Sequence, residues 1–275
     1  MRGKYRDITL IGEVLDEYNS SEISQYQTMH DIDALFNFPL CTKIKETFIH
    51  GGSMTALARS RISDNEIQGA LDVDTQLYTN ANRLITLLDN HDLRCRIKTE
   101  ILNRWGHWDR MRANRILKMC LSFLFTTRGI PQIYYGTEIG LEGDSDPHNR
   151  RDMRWEIFDD SFQPHPSDTE YSDAKEIFEH TKKLIEIRKE NKAIPFGYLF
   201  TLYSDYFIYS YMREFRGNTV IIVMNNGLER TPYPLRINIG GNSNIPSRIK
   251  RNLEGRILQN QLDPDDKIIY ENGYI

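Results

Sequence analysis

Leu87-Leu88-Asp89-Asn90-His91-Asp92 and, further along, Gly129-Ile130-Pro131-Gln132-Ile133-Tyr134-Tyr135-Gly136-Thr137-Glu138-Ile139-Gly140 decide how this chain is read. Each is a short apolar run that ends in polar groups. Runs of this length bounded by turn residues read as buried strands. Two more runs precede them. Thr9 to Val14 carries Glu13 near its end, and Ala34 to Leu40 is expected to stop at Pro39. Between the last two runs, Arg110 to Phe125 places Met111, Ile116, Met119, Cys120, Phe123 and Leu124 at near-helical spacing. Ala174 to Glu190 repeats that pattern, with lysines and glutamates on its outer face. Strands alternating with helices predict parallel βαβ units, whose buried strands are nearly continuous in apolar residues.

After Pro195 the texture changes. Tyr198–Tyr203, Tyr206–Met212, Thr219–Met224, Tyr233–Ile239 and Ile249–Leu253 read as short strands separated by turn residues. That spacing predicts an all-β antiparallel sandwich. The boundary falls between Asn191 and Gly197, giving an α/β unit over 1–192 and the sandwich over 193–275.

Length admits one large domain or two modest ones, at 275 residues. With a net charge of −4 and no basic stripe, nucleic acid is excluded as an expected partner. Lys182 to Lys192 alternates with glutamates, as a solvated helix face does. Three cysteines, Cys41, Cys95 and Cys120, are widely spaced and suggest neither a disulfide framework nor a metal site. No run is long enough for a membrane span, and Met1 to Asp7 lacks the apolar core of a signal peptide. The cytoplasm is the default expectation, and the compartment stays open. Aromatic residues are plentiful. Most are expected in the core, with a minority free to stack on sugar rings.

Glu13 and Asn90-His91-Asp92 each follow a strand. A carboxylic acid that protonates a leaving oxygen, opposite a carboxylate that attacks or stabilises, is what glycoside hydrolysis needs. An acid held between buried strands would be tuned for that role by desolvation. Each signal also has a plainer reading: Glu13 as a turn residue, and Asn-His-Asp as a hydrogen-bonded turn with a structural histidine.

Taken in order, Gly12-Glu13-Val14, Leu88-Asp89-Asn90-His91-Asp92 and the run from Gly129 through Trp155 resemble segments of the α-amylase family. The flavour is that of neopullulanases and cyclomaltodextrinases. The resemblance implies the C-terminal half, strands five to eight, of a (β/α)8 TIM barrel whose working residues sit at the C-terminal strand ends. It implies retaining hydrolysis or transglycosylation of α-glucans. Glu13 is then the acid/base, Asp92 the carboxylate that grips sugar hydroxyls, and His91 a hydrogen-bond partner of the same sugar. Asn90, Asp146, Arg150 and Tyr135 are further substrate-binding candidates. The plainer reading of the Asp146–Trp155 loop is that its charges pair with one another. No cofactor is expected, and calcium is open by resemblance only.

The sequence departs from the family pattern at Leu15, where an aromatic is usual, and at Leu87, where phenylalanine is usual. The family's nucleophile, an aspartate after Arg-x, is expected before the acid/base; the one Arg-x-Asp here is Arg150-Arg151-Asp152, after the eighth strand. Strands one to four are therefore expected to lie outside these residues. Such a half ring is expected to be marginally stable, to associate with an N-terminal half-barrel, or to self-associate. The alternative is a non-catalytic carbohydrate-binding or interaction protein of amylase type.

Overall fold

The computed structural model describes residues 8–29, 32–59, 70–227 and 235–275. Met1 to Asp7 and the start of the run expected from Tyr233 lie outside them.

The α/β half contains β1 (Ile11–Gly12), α1 (Ser20–Met29), β2 (Ala34–Leu35), α2 (Phe38–Ile44), α3 (Thr55–Ala58), α4 (Leu71–Leu77), β3 (Ile85–Thr86), α5 (Ile97–Trp105), α6 (Arg110–Thr126), β4 (Ile130–Pro131) and α7 (Thr169–Glu190). β1 pairs with β2 and β3 with β4, both in parallel. A parallel bridge from Phe36 to Ile85 joins the two pairs. The result is four strands side by side in chain order, all pointing the same way. Their outer edges carry exposed apolar side chains, with Ile11 at 59% and Ile130 at 47% exposure.

The paired stretches are shorter than the apolar runs that announce them. Ala34 to Leu40 shows why. Pairing is confined to its first residues, and the Asn37 side chain then accepts the Leu40 N–H at 3.1 Å and opens α2. Pro39 sits in the first helical turn, where its missing N–H costs nothing. It starts a helix instead of merely stopping a strand.

The helices follow their patterns, except that Met111 of α6 is exposed and α7 opens at Thr169, ahead of Ala174. Asp109 caps α6 by accepting the Arg112 N–H, and Asp168 caps α7 by accepting the Tyr171 N–H. Ile116, Leu117, Cys120, Phe123 and Leu124 of α6 are buried. Gly129 ends the connection at φ +107°, and a Cβ there would lie 2.6 Å from the Leu84 carbonyl oxygen. Only glycine lets the chain turn so close to β3. No helix among the described residues is long and apolar enough to cross a membrane.

The C-terminal part follows through α8 (Ala193–Phe196), β5 (Tyr198–Ser204), β6 (Ile208–Phe215), β7 (Asn218–Asn225), α9 (Ser247–Leu253), β8 (Ile257–Gln259) and β9 (Lys267–Ile269). β5, β6 and β7 form one antiparallel sheet, and β8 and β9 a separate two-stranded ribbon. The first three expected strands are therefore present. The expected strand Ile249–Leu253 is instead the greater part of α9. Ile249 and Leu253 are four residues apart, and both are buried against Met212, Ile237 and Ile239, while Arg248 and Arg251 face outward. Helical spacing wins over a short apolar count. What backs the sheet is a helix and irregular chain, so among the described residues there is no second large sheet of a sandwich.

The central strand β6 is buried on both faces, and alternation along it decides what each face meets. Tyr209 and Tyr211 enter the same core as Phe48 and Phe123, whereas Met212 faces α9. The Phe123 and Tyr211 rings meet edge-on at 6.1 Å, and the Tyr211 and Thr126 hydroxyls are 2.6 Å apart. Buried Arg213 fastens the junction by donating to the carbonyls of Ile194 and Gly197 at 2.7 and 2.9 Å. A core shared in this way predicts one cooperative unfolding transition for both parts. Phe123→Ala should lower stability by about 3–5 kcal/mol, shifting the single midpoint in urea. Two transitions, only one of them shifted, would contradict this.

Candidate active site

Because all four strands point one way, their C-terminal ends share one face. Glu13 follows β1, Asn37 follows β2, Asn90-His91-Asp92 follows β3, and Tyr134-Tyr135 follows β4. β1 and β3 are two strand spacings apart, about 10 Å.

The turn after β3 is built from buried polar groups. Asn90 is buried, and its Oδ1 accepts the N–H groups of Asp92 and Leu93 at 3.0 and 2.8 Å. Its side-chain carbonyl is thus spent on shaping the turn. Asp89, which the sequence reading passes over, is the deeper clamp. One oxygen accepts the Thr137 hydroxyl at 2.6 Å and the other the Ile97 N–H at 2.9 Å. It ties β3 to the start of α5 and to the turn after β4. Burial pushes its carboxyl above the usual range, opposed by these hydrogen bonds and by Lys45 and Arg96.

Out of this support project His91 and Asp92, both substantially exposed. His91 Nε2 lies 3.2 Å from Asp92 Oδ2. Arg150 reaches Asp92 at 3.7 Å, Asp146 at 3.5 Å and the His91 carbonyl at 3.4 Å. Asn149 holds the same loop by donating to the carbonyls of His91 and Leu93. Within the Asp146–Trp155 loop Arg150 pairs with Asp146, whereas Arg154 pairs with Glu156, Asp168 and Glu170 beyond it. Arg150 also reaches Asp92, so one guanidinium links the loop to the turn after β3. Exposed ion pairs of this kind contribute about 0–1 kcal/mol each, so a ligand can displace them at small cost.

Tyr135 is half exposed, and its hydroxyl donates to the Arg151 carbonyl at 2.9 Å. Behind it lies Arg96, fully buried and also unmarked by the sequence reading. Its guanidinium stands 4.5 and 4.7 Å from the Tyr134 and Tyr135 ring centres, and Nη1 donates to the Tyr135 carbonyl at 2.6 Å. Nε and Nη2 have no partner. Only the tyrosine pair, visible in the sequence, could have hinted at a cation behind it.

Glu13 differs from the rest. Its side chain is exposed, so the burial expected for an acid held between strands is not supplied by the described residues. Leu15, where the family pattern has an aromatic, is exposed as well. Among the described residues no group of three or more His, Cys, Asp or Glu is placed to hold a metal ion.

Comparison with known proteins converges on one lineage. The model of the alpha-amylase catalytic domain matches residues 1–197. The chain belongs to the alpha-amylase family. It is 42% identical over 110 residues to a cyclomaltodextrinase of Thermoanaerobacter pseudethanolicus, covering 40% of this chain and 17% of that protein. It is 33% identical over 181 residues to a cyclomaltodextrin glucanotransferase of Bacillus licheniformis, covering 66% of this chain and 21% of that protein. Among solved structures, an Anoxybacillus alpha-amylase superposes at TM-score 0.72 with 25% identity, over 99% of this chain and 50% of that one. The Geobacillus thermoleovorans alpha-amylase complexed with acarbose gives 0.73 at 24%, over 99% and 51%. The chain thus spans about half of these amylase structures and a smaller share of the curated relatives. An amylase-type barrel accounts for the parallel strands and for the shared face.

Asn37 Nδ2 completes the frame by donating to Asp74 Oδ2 at 2.7 Å. Burial pushes the Asp74 carboxyl up to about 6 despite the opposing Arg128 charge. Between the unfolded value near 4 and about 6, the folded state holds a proton that the unfolded chain has lost. Asp74's contribution is therefore present below that window and lost as pH rises through it, by about 3 kcal/mol in all. Asp74→Asn should gain on the wild type as pH rises from 4 to 6, read from urea midpoints. A difference that does not change with pH would contradict the assignment.

Proposed function

We propose that this chain forms the acid/base side of an α-glucan cleft in a retaining glycosidase or transglycosidase. The observation that carries the reading is the parallel order of the four strands. It puts the ends of the strands that Glu13 and Asp92 follow on one side, which supports assigning both to one cleft in a chain of this family. Glu13 is assigned proton donation to the leaving glycosidic oxygen. Asp92 is assigned the grip on sugar hydroxyls, with His91 sharing them. Arg150 and Asp146 extend the polar wall, and Tyr135 offers a ring face. Asn90 belongs to this wall as the group that shapes it.

The substrate class follows the relatives. A cyclomaltodextrinase, a cyclomaltodextrin glucanotransferase and an amylase crystallised with acarbose support an α-glucan ligand. The opposite wall, with the attacking carboxylate, is assigned to polypeptide other than these residues. Exposed Ile11 and Ile130 on the two outer strands support this, because a closed ring would cover them. That wall would also bury Glu13 and so tune it as an acid. Without a nucleophile the double displacement cannot proceed, and each tenfold in rate is about 1.4 kcal/mol of barrier.

A second reading, a non-catalytic α-glucan-binding protein, is favoured by the exposure of Glu13.

Both readings need sugar at Asp92. Titration of the chain with acarbose or maltoheptaose should show binding that Asp92→Ala weakens by about tenfold to a hundredfold, the worth of hydrogen bonds to a charged group. Unchanged affinity in Asp92→Ala and His91→Ala would overturn the proposal. Glu13→Gln should leave binding intact and abolish any turnover of cyclodextrin, pullulan or starch. Turnover that survives it would remove Glu13 from the acid role and leave the second reading.

A further inference from the structure

Arg96 lies on the chain that carries the turn after β3 into α5. It is fully buried, and its backbone is fixed: the N–H donates to the Gly143 carbonyl at 2.9 Å, and the carbonyl accepts the Glu100 N–H at 3.1 Å. The side chain crosses to the other turn, lies against the Tyr134 and Tyr135 rings, and donates to the Tyr135 carbonyl. The Tyr134 ring in turn stands 4.7 Å from that of Tyr135 and 6.3 Å from that of His91, centre to centre. A line of contacts thus runs from a buried cation, through one phenol, to the exposed imidazole assigned to the sugar. Gly136, in the left-handed region at φ +87°, keeps room for it, since a Cβ there would lie 3.3 Å from Arg96 Nη1.

Stability alone does not account for this arginine. Its Nε and Nη2 have no hydrogen-bond partner. Burial pushes the carboxyls of Asp89 and Glu138 up, and the Arg96 charge opposes it at both, yet Glu138 Oε2 is also without a partner. A buried guanidinium left partly unpaired carries a desolvation cost that an apolar side chain of similar volume avoids. What a guanidinium alone supplies is shape: a planar fork that contacts two aromatic rings and still donates to a carbonyl. His91 is where that shape has an effect. Asn149 and Arg150 hold its carbonyl, which fixes the backbone and leaves the ring to Asp92 and Tyr134. Asp92 is itself substantially exposed, so Tyr134 is the better anchored neighbour.

We propose that Arg96 is a positioning residue of the sugar cleft: it sets Tyr134 and, through Tyr134, the ring of His91. The proposal deepens the α-glucan reading and rests on it, since His91 is given its sugar contact there.

The test is a double-mutant cycle on the whole chain, titrated calorimetrically with acarbose. Arg96→Met should weaken binding about tenfold, and the same change made in His91→Ala should cost less than about threefold, because the group being positioned is gone. Arg96→Lys keeps the charge and loses the fork, and should not restore affinity. Far-ultraviolet circular dichroism checks that each variant is folded; if Arg96→Met is not, the Arg96→Lys chain carries the same cycle. An equal loss in both backgrounds, as general loosening would give, would overturn the proposal. So would unchanged affinity in Arg96→Met, or wild-type affinity in Arg96→Lys. In each of these outcomes the losses in Asp92→Ala and His91→Ala remain. Failure of the cleft reading shows separately, as affinity unaffected by those two substitutions.

Discussion

A single backbone link turns two short strand pairs into one parallel arc. The Asn37 N–H donates to the Ile85 carbonyl at 2.9 Å, beside the bridge from Phe36 to Ile85. β1 and β2 lie on one side of it, β3 and β4 on the other. Cys41 reinforces it from α2, with its thiol 3.3 Å from the Leu88 carbonyl. Were this link displaced by one residue, side chains after β2 and β3 would change faces.

The two sides of that face are unequally supported. After β3 and β4 the chain is over-determined: Asp89, Asn90, Asn149 and Arg96 each hold two or more loop groups, mostly through buried polar contacts. Such groups cost much to bury and repay it by fixing one geometry. After β1 the chain is open, with Glu13, Leu15 and Tyr18 exposed. Rigidity thus sits where sugar hydroxyls would be gripped. Glu13, the proposed proton donor, stands on the open side, whose enclosure the proposal assigns to other polypeptide.

Much of this was legible in residue order. The four apolar runs give four strands, and the helical spacing read from Arg110 and from Ala174 falls within α6 and α7, although α7 opens earlier, at Thr169. The candidates at 90–92, 146 and 150 come together as a cluster. The rest was not legible, for physical reasons. Strand length in a parallel arc depends on what lies alongside, so Ile130 to Tyr135 pairs only through its first residues. Ile249 and Leu253 fit a strand by composition and a helix by spacing, and only the neighbouring Met212 and Ile237 decide between them. Arg96 and Glu138 look like ordinary surface charges in the sequence. Their meaning comes from burial without full partners, which no local pattern encodes. The exposure of Glu13 is a tertiary fact of the same kind.

The most direct measurement is a crystal structure of the chain with acarbose bound. The account predicts a sugar ring at the C-terminal ends of β1 and β3, with hydroxyls on Asp92 and His91 and a glycosidic link on the Glu13 side. Acarbose bound away from that face, or strand ends that turn Glu13 and Asp92 to opposite sides, would contradict it.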